Sequence, residues 1–323
     1  MKTNGHPWAV VIFACRESPL QLRRTLEAAL RSAAHCSVVH LLVNGNPTLA
    51  DALAAELRLR QGALELPPAS PDLKVWSIPL ADKANAWNQY LHRLWAGEEI
   101  TFFVDGYVRL NPDAVTLLGN VVAANAQALG GSGVPTMGRS AKAIRETMIL
   151  NTGYHGNFCC IKGDTIGQMR AKQIRLPVGL YRTDSLMGAI LSYSLDPSTH
   201  VWDDVRIQVH PTASWQIDAA KWWRMNDLQA FFRRRLRQAR GELEKAAFSE
   251  HLAKRRRVPA ELPDTTKELV SAWVTTCPED YKRLARKHFL TAKALESFRT
   301  PRGMRPADLE PELVFSHESA TTA

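Results

Sequence analysis

The chain has 323 residues, 45% of them hydrophobic and 23% charged, with 18 glycines and 18 prolines. That composition supplies a buried core and excludes a disordered, collagen-like or coiled-coil chain. A net charge of +9 leaves nucleic acid, an anionic membrane surface and phosphorylated small molecules as partner classes.

Trp8 to Ala14 is a β-branched and aromatic run, and after Ser18-Pro19 the residues Leu20, Leu22, Leu26, Ala29 and Leu30 recur at near-helical spacing. The chain therefore opens as strand, loop, helix. Val38 to Val43 reads as a second strand ending at Asn44-Gly45-Asn46, and Leu49 to Leu59 as an amphipathic helix. Pro67, Pro68 and Pro71 break the chain before a third strand, Val75 to Ile78, and a helix from Ala84 to Trp95. Ile100 to Val104 is a fourth strand that stops at Asp105-Gly106, and Pro112 starts a helix from Asp113 to about Leu129. Alternating strands and helices predict an α/β fold, Rossmann-like, with a mostly parallel central sheet.

Further along, Gly130 to Gly138 is expected to be a flexible lid or turn, Gly153 to Lys162 a strand near the site, and Val205 to Val209 a late strand. Beyond Trp215 the pattern changes to charged helices, Lys221 to Ala247 and Lys282 to Phe298, and the polar stretch from about Pro301 is expected to fray. The chain thus divides into a nucleotide-binding domain, 1–220, and a basic helical C-terminal extension, 221–323. Between Lys221 and Arg257 twelve basic residues face four acidic ones, so this segment carries most of the charge.

Cys15, Cys36, Cys159, Cys160 and Cys277 form no C-x-x-C pair, which points to reduced thiols in a cytoplasm. No secretion signal is visible, and Asn120, Asn125 and Gln127 interrupt the longest apolar stretch, so no transmembrane segment is expected. The ends of the four early strands carry Arg16-Glu17, Asn44, Asp82-Lys83 and Asp105. In open α/β sheets ligands bind outside the carboxyl ends of the strands, so these side chains should meet in one crevice. Arg233, Arg237 and Arg240 share one helix face, a geometry suited to phosphate. Trp222, Trp223, Phe231 and Phe232 beside them read as packing residues or as interfacial anchors.

Several of these segments resemble a known family. Val10-Val11-Ile12-Phe13-Ala14-Cys15-Arg16-Glu17-Ser18 resembles the opening strand and nucleotide loop of family 2 glycosyltransferases. Asp82-Lys83-Ala84-Asn85-Ala86-Trp87-Asn88 resembles their lysine-alanine-asparagine helix, and Phe102 to Asp113 the strand bearing D-x-D with the proline-aspartate that follows. Thr183-Asp184-Ser185-Leu186 is similar to the acidic dipeptide that supplies the catalytic base, and Arg237-Gln238-Ala239-Arg240-Gly241 echoes Q-x-x-R-W. The chain departs from the pattern at Tyr107, where D-x-D has its second aspartate, at Thr183, and in lacking the final tryptophan.

The resemblance implies a glycosyltransferase A type fold and hexosyl transfer from a nucleotide-sugar donor, a UDP-sugar being favoured, to a saccharide, lipid-linked or small natural-product hydroxyl, with inversion. It implies Asp184 as base, and Asp105 holding the donor diphosphate through Mg²⁺ or Mn²⁺, a metal site that Tyr107 puts in question and that His210 would complete. Arg16, Glu17 and Asn44 would contact base or ribose, and Lys83, Arg237 and Arg240 would offset phosphate charge. Each residue also has a plainer reading. The alternative for Asp184 is an N-cap of the helix that follows, and for Glu17 and Asn44 it is to satisfy local backbone groups. Asp203-Asp204 is the rival base. The rival functions are a nucleotidyltransferase acting on a sugar phosphate, and a non-catalytic protein using the basic helix on a membrane or nucleic acid, of which nucleic acid is the less favoured. Peripheral contact with the inner face of the membrane fits the basic helix.

Overall fold

In the computed structural model, the described residues are 8–60, 71–137, 141–217, 227–287, 289–298 and 306–318. Nine strands form one sheet: β1 (Trp8–Ala14), β2 (Val38–Asn44), β3 (Asp72–Ile78), β4 (Ile100–Asp105), β5 (Val108–Leu110), β6 (Gly130–Pro135), β7 (Phe158–Lys162), β8 (Ile207–Ile217) and β9 (Glu312–His317). Their order is β5-β8-β6-β7-β4-β1-β2-β3-β9. Strands β1 to β4, β6 and β8 share one direction, and β5, β7 and β9 run against it. The helices are α1 (Pro19–Ser32), α2 (Pro47–Arg60), α3 (Lys83–Gln89), α4 (Ala114–Ala124), α5 (Ala141–Asn151), α6 (Gly163–Ala171), α7 (Thr183–Ser192), α8 (Asp227–Ser249), α9 (Thr266–Thr276), α10 (Pro278–Lys287) and α11 (Thr291–Glu296).

Side chains of β1 alternate between two cores, because successive Cβ atoms on a strand point to opposite faces. Val10, Ile12 and Ala14 pack with Leu22 and Leu26 of α1, Leu53 of α2 and Leu118 of α4. Val11 and Phe13 pack with Trp87 of α3, Leu186 and Ile190 of α7, and Leu243 and Phe248 of α8. The second core extends into the C-terminal helices, where Trp273 of α9 is also buried. A sheet covered on both faces explains why its central strands read as unbroken apolar runs.

Three expectations are corrected. Gly130 to Gly138 is not a lid: its first six residues are the buried strand β6. A Cβ at Gly133 would lie 2.3 Å from the Phe158 ring and 2.5 Å from the Ala213 carbonyl, so the glycine admits its neighbouring strands rather than loosening the chain. Lys282 to Phe298 is two helices, α10 and α11. The polar tail does not fray throughout, since β9 pairs antiparallel with β3 and buries Phe315. Its anchors are side chains far back in the sequence: Arg58 donates to the Val314 carbonyl at 2.5 Å, and Asn85 to that of Leu309 at 3.2 Å. The region around 220, where the two-part division was drawn, lies largely outside the described residues, as do Trp222 and Trp223.

On β2, His40 is buried, stacked on Trp76 and accepting that indole N–H at Nδ1 over 3.0 Å. Burial, with the Lys74 charge adding, pushes its imidazole down to about 3. The unfolded chain protonates His40 near the ordinary value, so its stability contribution is full above pH ~6.5 and drains as pH falls toward the folded value. Between pH 6.5 and 4 this linkage amounts to about 3 kcal/mol. Urea midpoints measured across that range should fall more steeply for the wild type than for His40→Gln; parallel curves would refute the assignment.

Candidate active site

Strand β4 carries Asp105 to the carboxyl edge of the sheet, beside the carboxyl end of β1, where Phe13 is its register partner. Gly106 turns the chain flush beneath it: its N–H donates to the Phe13 carbonyl at 2.7 Å, and a Cβ there would sit 2.9 Å from that same oxygen. Both oxygens of Asp105 are engaged. Oδ1 accepts from the Lys83 ammonium, and Oδ2 from the Tyr107 hydroxyl at 2.9 Å, which also lies 3.1 Å from Asn157 Oδ1. Lys83 opens α3, with Asp82 capping that helix by accepting from Asn85 N–H at 2.7 Å. Burial opposes the charge on Lys83, but Asp105 and then Asp184 outweigh it, so the ammonium titrates above its ordinary range. Burial, then the Asp105 charge, push the Tyr107 phenol far upward, and it stays protonated.

Asp184 lies in the first turn of α7, half-buried, with Oδ2 accepting from Gly156 N–H at 3.2 Å and Oδ1 from Ser185 N–H at 2.9 Å. Each oxygen keeps a lone pair for another donor. Its charge is felt at Lys83 and at His155, which also senses Asp105. His155 stays neutral because burial, its largest influence, lowers its pKa. Tyr107 in turn feels Glu17 and Tyr181. Because Gly156 and Asn157 are adjacent in the chain, the hydrogen bonds from Gly156 to Asp184 and from Tyr107 to Asn157 and Asp105 bring Asp184 near the Lys83–Asp105 pair, and charge coupling ties Glu17, His155 and Tyr181 to the same region. His155 and Asn157 precede β7, whose Phe158 pairs with Val104. A strand antiparallel to β4 begins where β4 ends, so its leading residues reach the site, and sequence patterning carries no direction for an isolated short strand.

The loop before Asp184 is held from two sides. From α3, Asp82 accepts from Gly179 N–H at 2.8 Å, and Asn88 exchanges two 2.8 Å hydrogen bonds with the backbone of Leu176. From α8, the fully buried Glu244 carboxylate accepts from Tyr181 N–H and Arg182 N–H, each at 3.0 Å, and from Arg240 Nε at 3.2 Å. Arg240 is thereby placed in this clamp, with Nη2 donating to the Gly179 carbonyl and its guanidinium 4.7 Å from the Phe298 ring centroid.

The other expected site residues are placed as follows. Arg16 is exposed, and Glu17 folds back to accept from Cys15 N–H at 2.6 Å and Arg16 N–H at 2.9 Å. Asn44 is buried and donates to the Ala14 carbonyl at 2.8 Å, tying the ends of β1 and β2. Arg237 is exposed on α8, and the side chain of Arg233 lies outside the described residues. His210 turns Nδ1 back onto the N–H groups of Thr212 and Ala213, at 3.3 and 3.1 Å, leaving Nε2 as its one atom for a ligand. The Asp203 backbone N–H donates to the Ser192 carbonyl at the far end of α7, about 12 Å of helix from Asp184, and its carboxylate pairs with Arg206.

The donor set at Asp105 does not fit a divalent cation. One free carboxylate beside substrate phosphates can hold Mg²⁺, but Asp105 is neutralised by Lys83, and the residue two along is a protonated phenol. An ammonium about 4 Å from such an ion repels it by about 8 kcal/mol at an effective dielectric constant of ~20. Among the described residues, three close metal-ligating groups occur together only at Glu250, Cys277 and Asp280, where Lys254 and Arg255 already pair with the carboxylates.

A mannosyltransferase of Pyrobaculum calidifontis, solved with GDP-mannose and Mn²⁺, superposes over 94% of this chain and 78% of its own, with a TM-score of 0.54 and 16% identity. The fold is that of the A-type glycosyltransferases. A TarS fragment of S. aureus aligns at 11% identity over 88% of this chain and 78% of that one, with a TM-score of 0.48. The glucosyl-3-phosphoglycerate synthase of Mycobacterium tuberculosis, solved with Mn²⁺, UDP and glucosyl-3-phosphoglycerate, aligns at 15% identity over 71% and 77%, with a TM-score of 0.44. No protein-family model and no curated protein sequence matches the chain.

Replacing Glu244 by Ala would strand two backbone N–H groups and the Arg240 guanidinium without their acceptor. The expected loss is about 3 kcal/mol of stability, read as a lowered urea midpoint with an unchanged slope. A midpoint within error of the wild type would remove Glu244 from the clamp.

Proposed function

We propose that this chain transfers a sugar from a nucleoside-diphosphate donor to an acceptor hydroxyl, with inversion at the anomeric carbon, and that Asp184 is the base. The reading is supported by one observation: on an A-type glycosyltransferase fold, a half-buried carboxylate in the first turn of α7 lies near enough to the Lys83–Asp105 pair for its charge to act on the ammonium. Asp184 takes the proton of the acceptor hydroxyl, whose oxygen attacks the anomeric carbon in line. The bond to the diphosphate oxygen breaks on the opposite side, and the electron pair leaves with the diphosphate. Gly156 and Ser185 hold the carboxylate in place, the positioning that makes such a step effective.

Tyr107, 37% exposed, and Tyr181, 53% exposed, stand close enough to influence one another and offer flat apolar faces at the mouth of the pocket for a sugar ring. A nucleotide sugar is the donor class, with UDP-sugars first to test; the acceptor is a hydroxyl of a saccharide, a lipid-linked sugar or a small natural product. No helix among the described residues is long and apolar enough to cross a membrane. Arg235, Arg237 and Phe232 on the exposed face of α8 favour peripheral contact with an anionic surface.

Melting temperatures measured against a panel of nucleotide sugars should rise for the true donor, because a ligand selective for the folded state stabilises it. With that donor, Asp184→Asn should cut turnover by about 10²- to 10⁴-fold and leave donor affinity within about twofold. Undiminished turnover would move the base elsewhere, and Asp203→Asn serves as the control that should leave turnover intact.

A further inference from the structure

The departing diphosphate needs positive charge, and on this chain the group in place to provide it is Lys83. We propose that Lys83 supplies that charge directly and that this chain binds its donor diphosphate without a divalent cation. The inference rests on the donor reading above and deepens it.

Three observations converge. The Lys83 ammonium is seated on Asp105 Oδ1, at the position on β4 where a metal-bridged diphosphate would be held through a carboxylate. The second oxygen is occupied by the phenol of Tyr107, a group that donates a hydrogen bond and carries no charge, so the pair cannot chelate as two carboxylates do. The Lys83 side chain keeps 29% of its surface exposed and Asp105 keeps 13%, so the lysine is the more accessible member of the pair. An ammonium has three N–H donors. One is spent on Asp105, and the others can meet phosphate oxygens. Asp105 then acts as a positioning residue: it keeps Lys83 charged, while the Tyr107 hydroxyl donates to its second oxygen and its own backbone N–H donates to the Asn157 carbonyl at 3.3 Å. The Phe13 ring, 5.9 Å from the ammonium, forms the apolar floor beneath the lysine.

The test uses the purified full chain and isothermal titration with UDP and GDP, each in EDTA and in Mn²⁺. Equal affinity in the two conditions, within about threefold, is the expected result, together with a loss of about ten- to hundredfold in Lys83→Met and a smaller loss in Lys83→Arg. Free-ion electron paramagnetic resonance on the protein without nucleotide supplies a readout independent of activity and of any variant: the wild type should leave the Mn²⁺ signal undiminished. Nucleotide binding that appears only with Mn²⁺, or wild-type depletion of the Mn²⁺ signal, would overturn the inference and leave the donor reading standing. Absence of binding by both nucleotides and by the nucleotide-sugar panel, with and without Mn²⁺, would overturn both.

Discussion

Lys83 and Asp105 stand 22 residues apart and meet at the edge of the sheet, the lysine opening α3 and the aspartate closing β4. Most of the pocket is arranged around that pair. An ion pair half removed from water persists only where its remaining donors and acceptors are met, and here the Tyr107 hydroxyl donates to the second oxygen of the carboxylate. On the lysine side the neighbouring charge is Asp184, and His155 senses all three groups. In the proposed reaction this pair would supply the positive charge that a leaving phosphate requires.

A second constraint acts on the loop that ends in Asp184. Asp82 and Asn88 grip it from α3, while Glu244 and Arg240 grip it from α8. The same short helix that presents Lys83 therefore also holds the loop that leads into Asp184, so the two charged groups keep a common reference. The C-terminal helices contribute through this clamp and through the core they share with β1, in addition to whatever their exposed arginines bind. Burial of Glu244 lifts its pKa, and the backbone N–H groups and Arg240 work against that shift, as expected of a carboxylate held by hydrogen bonds inside a core.

Much of the fold was legible along the chain. β1, β2 and β4 are apolar runs closed by polar residues, as strands buried on both faces read, whereas β3 alternates half-buried and buried positions. Glycine was misleading at 130–135, because composition alone cannot distinguish a glycine that frees the chain from one that lets another strand approach; the Phe158 ring over Gly133 decides it. The tail was misleading for a related reason. Glu312 to His317 looks polar, yet an edge strand needs only one buried side chain and a partner, and Phe315 and β3 provide them.

The sequence by itself determined the α/β alternation and that Lys83, Asp105 and Asp184 stand at the ends of their strands and the starts of their helices. These follow from periodicity and from where polar groups interrupt apolar strands, both local properties. Only the tertiary structure decided that Lys83 binds Asp105, that Arg240 and Asn44 hold backbone carbonyls, and that His155 and Asn157 enter the pocket on an antiparallel strand. Each of those outcomes is a choice of partner across tens of residues or more, and a side chain's partner is set by the geometry of the folded chain, to which local pattern is blind.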